Sequence, residues 1–393
     1  MNAGRWSRSG RAAILLGNAG DEAIADGPHS PKLEHLTALL VCPECRQGLE
    51  ILRQRGIDGV LGHVTGVCQQ RYPVIDGIPR LLRRNARAAV VGRHNAWFSE
   101  PYWDGALDGW HADAAPVEPD YRIVERFDRE WAQFSKMESK ERGRIFDAYF
   151  DLVDADVLRA GNRVLDAGCG SGRWAFEMAS RGATVIAMDL GLSIEVAGRN
   201  TSALGVHFVQ ADIRDTPFRP DTFDFACSLG VLHHVPETEA ALAAVCSAIR
   251  PQGSLLLYLY YALETRPSWY RLIFRLSAWI RRLLSVAPQP LTRLSTTAIA
   301  AGVYWPLARL SGALHRVGLN ALSDALPLSF YRHLSFRTMR NDSLDRFGTA
   351  LEKRYTAAEL AKLMSAAGLQ DVRISPDPPY WHALARRSPA TSR

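Results

Sequence analysis

Short apolar runs alternate with amphipathic segments along residues 161–260, and most of the runs end at a polar or acidic residue. Each run has the length of a strand, and the segments between them, such as Arg173–Ser180, have the length and pattern of helices. The runs are Val164–Asp166, Thr184–Met188, His207–Gln210, Phe223–Ser228 and Ser254–Leu259. Such alternation is typical of a parallel sheet with helices on both faces. The sequence therefore predicts an α/β fold with a doubly wound sheet.

The pattern changes along the chain and divides it into five parts. We expect a disordered tail over residues 1–35, a small β module over 36–85, and a linker with an N-terminal helical cap over 86–160. Residues 261–340 have the pattern of a basic helical insertion, and residues 341–386 return to the α/β pattern of 161–260. The sequence thus predicts one α/β core, formed by 161–260 and 341–386 and interrupted by the insertion.

A glycine-rich turn follows the first apolar run of the core, in the segment VLDAGCGSGRW that begins at Val164. Gly168, Gly170 and Gly172 would let the backbone pass close to a ligand, and the following helix start offers free N–H groups. The spacing differs from the G-x-G-x-x-G pattern of dinucleotide sites. Asp166 also suits an ammonium group better than a pyrophosphate. These features favour S-adenosylmethionine as the ligand.

Acidic residues also follow the next two runs. Asp189 comes 21 residues after Gly168, close to the ~20 residues at which an acid binds ribose hydroxyls. Asp212 follows the third run, where its carboxylate can accept from an adenine amino group, and Ile213 can cover the ring. Leu190, Ser228 and Leu229, at the ends of the second and fourth runs, complete the predicted cofactor contacts. The alternative for Asp189 and Asp212 is turn chemistry at strand ends.

The ordered segments VLDAGCGSG, VIAMDL, FVQADI, FDFACSLGVLHHV and RPQGSLLL resemble the motifs of class I S-adenosylmethionine-dependent methyltransferases, particularly the small-molecule group. This resemblance implies a Rossmann-like sheet with a reversed last strand and the cofactor bound over residues 168–172. It also implies ribose binding at Asp189 and an adenine contact at Asp212.

Candidate catalytic and acceptor-binding residues lie further along the chain. His233 and His234 follow the fourth strand, where an imidazole could remove a proton from the acceptor, or could hold the loop. Asp342, Asp345 and Arg346 precede the last helix, where related enzymes place acceptor-orienting groups. A turn held by an internal Asp–Arg pair is the alternative.

The N-terminal module contains Cys42 and Cys45 in a C-x-x-C pair, which has zinc-knuckle spacing. Cys68 and the following YPVIDGIP run resemble the small zinc-ribbon family of methyltransferase activators. The resemblance implies a zinc site made by Cys42, Cys45 and Cys68, with His63 or an outside residue as fourth ligand. The family also has metal-free members, so a reduced-thiol module is the alternative.

The net charge of +6 is concentrated in the insertion, because residues 265–323 contain eight arginines and no acidic residue. A basic amphipathic helix is typical of a lid over an anionic substrate or of a segment that contacts a membrane surface. No apolar run reaches the ~18 residues of a membrane span. We therefore expect a cytoplasmic protein, with contact to the inner face of a membrane as an alternative for the insertion.

The sequence predicts a methyltransferase that acts on a small-molecule acceptor, either lipid-like or a glycan or natural-product precursor. An RNA base methyltransferase with a zinc-ribbon head is the alternative. The RNA alternative lacks support because Ser228-Leu229-Gly230 stands where an Asn-Pro-Pro-Tyr motif would be expected, and because there is no lysine-rich face. No nucleic-acid partner is therefore expected. A third hypothesis is a catalytically silent partner that binds the cofactor. The sequence predicts no particular oligomeric state.

Overall fold

The computed structural model describes residues 31–64, 68–107, 109–110, 139–348 and 351–389. Within these ranges the strands are β1 (Glu50–Arg55), β2 (Asp58–Gly62), β3 (Tyr72–Ile75), β4 (Ile78–Leu81), β5 (Arg163–Ala167), β6 (Thr184–Asp189), β7 (His207–Ala211), β8 (Phe223–Leu229), β9 (Ile249–Tyr258), β10 (Leu369–Ile374) and β11 (His382–Arg387).

The α-helices of the described residues are α1 (Pro31–Thr37), α2 (Ala88–Arg93), α3 (Asn95–Phe98), α4 (Ser139–Tyr149), α5 (Arg173–Ala179), α6 (Ser193–Asn200), α7 (Thr238–Ala248), α8 (Ser268–Val286), α9 (Gln289–Ile299), α10 (Trp305–Arg316), α11 (Asn320–Ala325), α12 (Phe336–Gly348) and α13 (Ala357–Ala366). A π-helical turn, Ala300–Tyr304, joins α9 to α10. Each of these helices is too short or too polar to cross a membrane.

The strands form one mixed sheet in the order β1-β2-β3-β4-β7-β6-β5-β8-β9-β11-β10. Strands β4 and β7, β7 and β6, β6 and β5, β5 and β8, and β8 and β9 pair in parallel. Strand β11 pairs antiparallel with β9, so that Leu384 lies opposite Leu256. The predicted doubly wound sheet with a reversed last strand is confirmed.

Two apolar layers cover the two faces of the sheet, because side chains alternate along each strand. On β5, Val164 packs in the layer that includes Trp174 of α5. Its neighbour Leu165 packs in the opposite layer, with Leu242 of α7 and Leu360 of α13. Asp166 therefore faces α5, which bears on its role in the site.

The N-terminal module is joined to the core through its last strand. Strand β4 pairs in parallel with β7, and Arg80 lies opposite Gln210. The fully buried Arg80 guanidinium donates to Gln210 Oε1 at 2.9 Å and to Glu195 Oε1 at 3.2 Å. The module and the core thus share one sheet, although the division into domains stays a prediction.

Two boundaries differ from the sequence expectation. The expected disordered tail reached residue 35, but α1 begins at Pro31 and buries Leu33 and Leu36; residues 1–30 and residues 111–138 of the expected linker lie outside the described residues. The helical insertion continues past residue 340, because α12 packs Met339 and Phe347 against Tyr304 and Ala308. Residues 341–348 are therefore helical and belong with the insertion.

Candidate active site

A cavity of about 400 Å³ lies at the carboxyl edge of the parallel strands, where open α/β sheets bind ligands. One side is formed by the loops after β5, β6, β7 and β8. The other side is formed by the insertion, through Tyr270 and Phe274 of α8, Tyr304 and residues of α12. The cavity therefore connects the predicted cofactor loop with the predicted acceptor-binding residues.

The loop between β5 and α5 has a backbone that requires glycine. Gly168, Gly170 and Gly172 have φ angles of 88°, 52° and 79°, in the region that other residues rarely adopt. A Cβ atom on Gly168 would stand 2.4 Å from a methyl carbon of Val231. Gly168 and Gly170 line the cavity, so the bare backbone is available to a ligand.

Asp189 ties this loop to the end of β6. Its Oδ2 accepts a hydrogen bond from the Gly170 backbone N–H at 2.8 Å, and its Oδ1 accepts one from Gly191 at 2.9 Å. Burial raises the pKa of Asp189, and these hydrogen bonds oppose the rise. Ser193 Oγ adds a longer contact to Oδ1 at 3.4 Å, and Asp189 lines the cavity together with Leu190.

Asp212 and Ile213 follow β7 and also line the cavity, as does Leu229 at the end of β8. The Asp212 carboxylate accepts from the backbone N–H of Arg214 at 2.9 Å and from its guanidinium at 2.7 Å. The side chain is thus held by its own turn, and Ile213 is 8% exposed beside it.

Three predicted cofactor residues do not line the cavity. Asp166 is fully buried and accepts a hydrogen bond from the backbone of Ala175 in α5. Ser228 donates to the Ala167 carbonyl at 3.0 Å. Gly172 packs against Ala197, and a Cβ atom added to Gly172 would lie only 2.9 Å from the Ala197 Cβ. Strand alternation points Asp166 toward α5, and direct contact of these three residues with the cofactor stays a prediction.

The two histidines occupy different environments. His233 is fully buried and lies outside the cavity lining, with its ring stacked on Tyr260 at 3.9 Å. Burial lowers the pKa of His233 well below its usual value, which makes this neutral ring a poor candidate for a base. His234 lines the cavity, donates from Nδ1 to the Leu351 carbonyl at 2.7 Å, and places Nε2 4.0 Å from Asp345 Oδ1.

The predicted acceptor-binding residues Asp342, Asp345 and Arg346 all lie on α12 and line the cavity, instead of forming a turn. Asp345 Oδ2 accepts from the Tyr260 hydroxyl at 2.9 Å. Burial raises the pKa of Asp342 to about 6, opposed by the nearby charge of Arg173. Asp345 also has a raised pKa because of burial, opposed by His234.

Several lining residues carried no recognisable sequence signal. Arg354 stacks its guanidinium on Phe274 at 4.1 Å, and Arg346 stacks on the same ring at 3.8 Å. Tyrosines from separate parts of the chain also line the cavity, namely Tyr149, Tyr258, Tyr260, Tyr261, Tyr270, Tyr304, Tyr331 and Tyr380. The alternation of Tyr258 and Tyr260 after a strand was the one pattern that could have indicated a lining role.

Comparison with known proteins decides the nature of the central segment. The family described as methyltransferase domain matches residues 165–257, which run from β5 to β9. These residues are a methyltransferase domain. The predicted resemblance to the S-adenosylmethionine-dependent class is thereby confirmed.

Curated relatives are similar to about a third of this chain. A ubiquinone biosynthesis O-methyltransferase of Xanthomonas campestris pv. campestris (strain B100) is 34% identical over 138 residues, 34% of this chain and 56% of the relative. The corresponding protein of Pseudomonas fluorescens (strain SBW25) is 29% identical over 136 residues, 34% of this chain and 57% of the relative. This chain thus spans little more than half the length of these relatives.

Among solved structures, magnesium protoporphyrin IX methyltransferase from Synechocystis PCC 6803 with bound SAH superposes with a TM-score of 0.40 at 13% identity. The superposition covers 68% of this chain and 99% of that protein. A putative O-methyltransferase from Nostoc punctiforme PCC 73102 gives a TM-score of 0.39 at 17% identity, over 65% of this chain and 60% of that protein.

A second cluster lies in the N-terminal module, away from the methyltransferase domain's cavity. The ligand atoms of Cys42, Cys45, His63 and Cys68 lie within 4.8 Å of one another. Cys42 Sγ is 3.8 Å from Cys68 Sγ, and Cys45 Sγ is 3.4 Å from His63 Nε2. Tetrahedral zinc with Zn–S bonds of about 2.3 Å separates two sulfurs by about 3.8 Å. The four residues therefore fit a zinc ion.

Proposed function

We propose that this chain transfers a methyl group from S-adenosylmethionine to an oxygen atom of a small molecule held between the methyltransferase domain and the helical insertion. The observation that carries this proposal is the single cavity that reaches from Gly168 to Asp345. Placing the cofactor and the acceptor side by side in one cavity is what a direct group transfer requires.

The cofactor fits the sheet-edge side of the cavity. The bare backbone of Gly168 and Gly170 would lie against it, Asp189 would accept from the ribose hydroxyls, and Asp212 with Ile213 would hold the adenine. Leu190 and Leu229 would add apolar contacts. When bound, S-adenosylmethionine supplies an electrophilic methyl group. The chain must then position the acceptor and remove its proton.

His234 is the proposed proton acceptor. Its Nδ1 donates to the Leu351 carbonyl, which fixes the tautomer in which Nε2 carries the lone pair. Nε2 can take the proton of an acceptor hydroxyl, and the carboxylate of Asp345, 4.0 Å away, would stabilise the resulting imidazolium. This arrangement supports an oxygen acceptor, since a hydroxyl needs a base to become a good nucleophile.

The insertion side of the cavity supports an acceptor with both an apolar part and an anionic group. Tyrosine rings and Phe274 offer an apolar surface, and Arg346 offers a guanidinium group fixed on the Phe274 ring. Arg354, on the same ring, is already paired with Glu352 at 2.6 Å, so a phosphate or carboxylate would pair with Arg346. The proposed acceptor is therefore a lipid-like or natural-product precursor that carries one acidic group.

Incubation of the protein with S-adenosylmethionine labelled in its methyl group and with fractionated cell extract tests this function. We expect the label in small organic molecules and not in RNA. Gly168→Val is the matched inactive control, because its side chain would collide with Val231. Label in RNA would contradict the proposal and support the alternative acceptor, which none of the relatives reported above supports.

We also propose that Cys42, Cys45, His63 and Cys68 bind a structural zinc ion. The support is their mutual spacing and the three different chain segments from which they come. Four protein ligands leave no open position for a substrate, so this site would hold the module together and take no part in methyl transfer.

A further inference from the structure

Helix α8 exposes an apolar stripe along its whole length. The side chains of Leu272, Ile273, Leu276 and Ile280 are 47–60% exposed, and Leu283 is 70% exposed. They recur at the three- and four-residue spacing of one helix face. The helix has 19 residues and is therefore about 28 Å long. A continuous apolar face of this size is unusual on a protein surface without a partner.

The exposed apolar residues are concentrated in the insertion. Of the nineteen large hydrophobic side chains that are exposed among the described residues, sixteen lie between Trp269 and Leu322. The remainder of the described surface has Ile57, Val64 and Tyr102. The apolar surface is thus a property of one segment, not of the whole molecule.

Packing of the insertion does not require this stripe. The opposite face of α8 carries Tyr270 and Phe274, which line the cavity, and Ser285, which is buried. Arg346 of α12 donates to Ser277 on that inner face at 3.1 Å. Helix α8 is therefore already held by one face, and no described residue covers its outer face.

Basic residues flank the stripe. Arg271, Arg275 and Arg282 are exposed along one side of it, and Arg282 stacks over the Trp279 ring at 5.5 Å. No acidic residue occurs between residues 265 and 323. Trp269, 51% exposed, lies at the N-terminal end of the stripe, and Trp279, 65% exposed, lies at its arginine-bearing edge, where an amphipathic ring suits the boundary between lipid and water.

We propose that the outer face of α8 lies in the headgroup layer of an anionic lipid membrane, with the leucine and isoleucine side chains in the acyl region and the arginines on lipid phosphates. A bilayer surface offers an apolar layer and negative charge side by side, which matches this face. A second copy of the chain would bring the same arginines against each other, so a self-contact lacks the matching charge. This proposal does not depend on the function proposed above.

Co-sedimentation of the full-length protein with lipid vesicles tests the proposal. We expect binding to vesicles that contain phosphatidylglycerol and much weaker binding to pure phosphatidylcholine, with affinity falling as salt is added. Replacing Arg271, Arg275 and Arg282 together by glutamine should weaken binding roughly 100-fold at low salt. Leu276→Glu with Leu283→Glu should weaken it by more than about tenfold.

Ile57→Glu is the matched control, because Ile57 is 59% exposed but lies in the N-terminal module. It should bind vesicles like the unmodified protein. Thermal unfolding of each variant checks that it is folded, as expected for changes at exposed positions. Vesicles with brominated acyl chains should quench tryptophan fluorescence, and the quenching should fall in Trp269→Phe with Trp279→Phe.

Three results would overturn the proposal. The first is absence of binding to the anionic vesicles, and the second is equal binding by the unmodified protein and the Leu276→Glu, Leu283→Glu variant. The third is self-association without lipid that the same leucine changes abolish, which would assign the stripe to a contact between copies of the chain.

Discussion

At the scale of single residues, the carboxylates of the site differ in what they do. Asp189 holds two backbone N–H groups at the cavity, Asp166 supports a helix start below it, and Asp345 pairs with Tyr260 and faces His234. All three are aspartates and have the same side-chain chemistry in the sequence. Their different burial and partners separate them, and each can be tested by one substitution.

Asp189→Ala should weaken S-adenosylmethionine binding by about 1–3 kcal/mol, because the ribose hydroxyls lose their buried acceptor. Titration calorimetry measures this directly. Asp215→Ala is the control, since Asp215 lies on the same sheet edge but pairs with Arg83 outside the cavity. Unchanged affinity in a folded Asp189→Ala protein would remove Asp189 from the cofactor site.

His234→Phe should reduce methyl transfer by about 10²–10⁴-fold while leaving cofactor affinity nearly unchanged, because general-base catalysis contributes in that range. His233→Phe is the matched control: its ring nitrogens have no hydrogen-bond partner among the described residues, and it lies outside the cavity. Turnover of the labelled acceptor at equal enzyme concentration compares them. Equal losses in both variants would argue against His234 as the base.

Asp166→Asn should stabilise the protein, and more so at high pH. Burial raises the pKa of Asp166 from 3.8 to about 7, so the folded state binds more protons than the unfolded state between these values. The stability of the unmodified protein therefore falls as pH rises through this window. The gain from asparagine should be on the order of 1–3 kcal/mol larger at pH 8 than at pH 5.

Urea unfolding at the two pH values measures this difference, with exposed Asp104→Asn as the control. A gain that does not grow with pH would mean that Asp166 is ionised in the folded protein at little cost.

At the scale of elements, helix α8 has two faces with separate tasks. Phe274→Ala removes the ring on which Arg346 and Arg354 stack, and should raise the KM for the acceptor about tenfold, the equivalent of roughly 1.4 kcal/mol. Cofactor affinity should stay unchanged, because its proposed contacts lie on β5 to β8. Leu276→Ala, on the outer face, is the control and should leave the acceptor KM unaltered. The reverse pattern would show that the inner face does not bind the acceptor.

The N-terminal module is the second element with a testable part. Purified protein should contain one zinc per chain by elemental analysis, and His63→Ala or Cys68→Ser should lose most of it. Cys246→Ser, a buried thiol outside the cluster, should keep the metal. A strong chelator should lower the melting temperature of the unmodified protein, since the metal stabilises the fold that binds it. Zinc-free wild type of the same stability would favour the reduced-thiol alternative.

At the scale of the whole molecule, the sequence predicted the features that depend on local patterns of hydrophobic and polar residues. The alternating runs located β5 to β9 to within a few residues, and the glycine loop and the acids after β6 and β7 lie at the cavity as expected. The pairing of β4 with β7 could not be predicted, because it joins Arg80 to Gln210 across 130 positions. The orientation of Asp166 followed from strand alternation and was still missed.

The acceptor side was the least predictable part. Its tyrosines come from α4, the end of β9 and the loop after it, α8, the π-helical turn, the segment before α12 and the loop before β11. No single spacing connects them in the sequence. The Asp342–Arg346 segment had a turn held by an internal Asp–Arg pair as its alternative structure. It is helical because α12 packs Met339 and Phe347 against the insertion, and tertiary packing of this kind overrides local preference.

The pairing of β4 with β7 also affects how readily the protein aggregates. An exposed edge strand has a row of unpaired backbone N–H and C=O groups that can pair with another chain, and natural proteins protect such edges. Here β4 pairs with the otherwise exposed edge of β7, and the edge strand at this end of the sheet is β1. Its sequence, EILRQR, is rich in charged residues, which disfavour further pairing. The N-terminal module therefore ends the sheet. A shortened protein without residues 31–85 would expose β7 as an unpaired edge strand and should aggregate, even though every residue proposed to bind the cofactor would still be present.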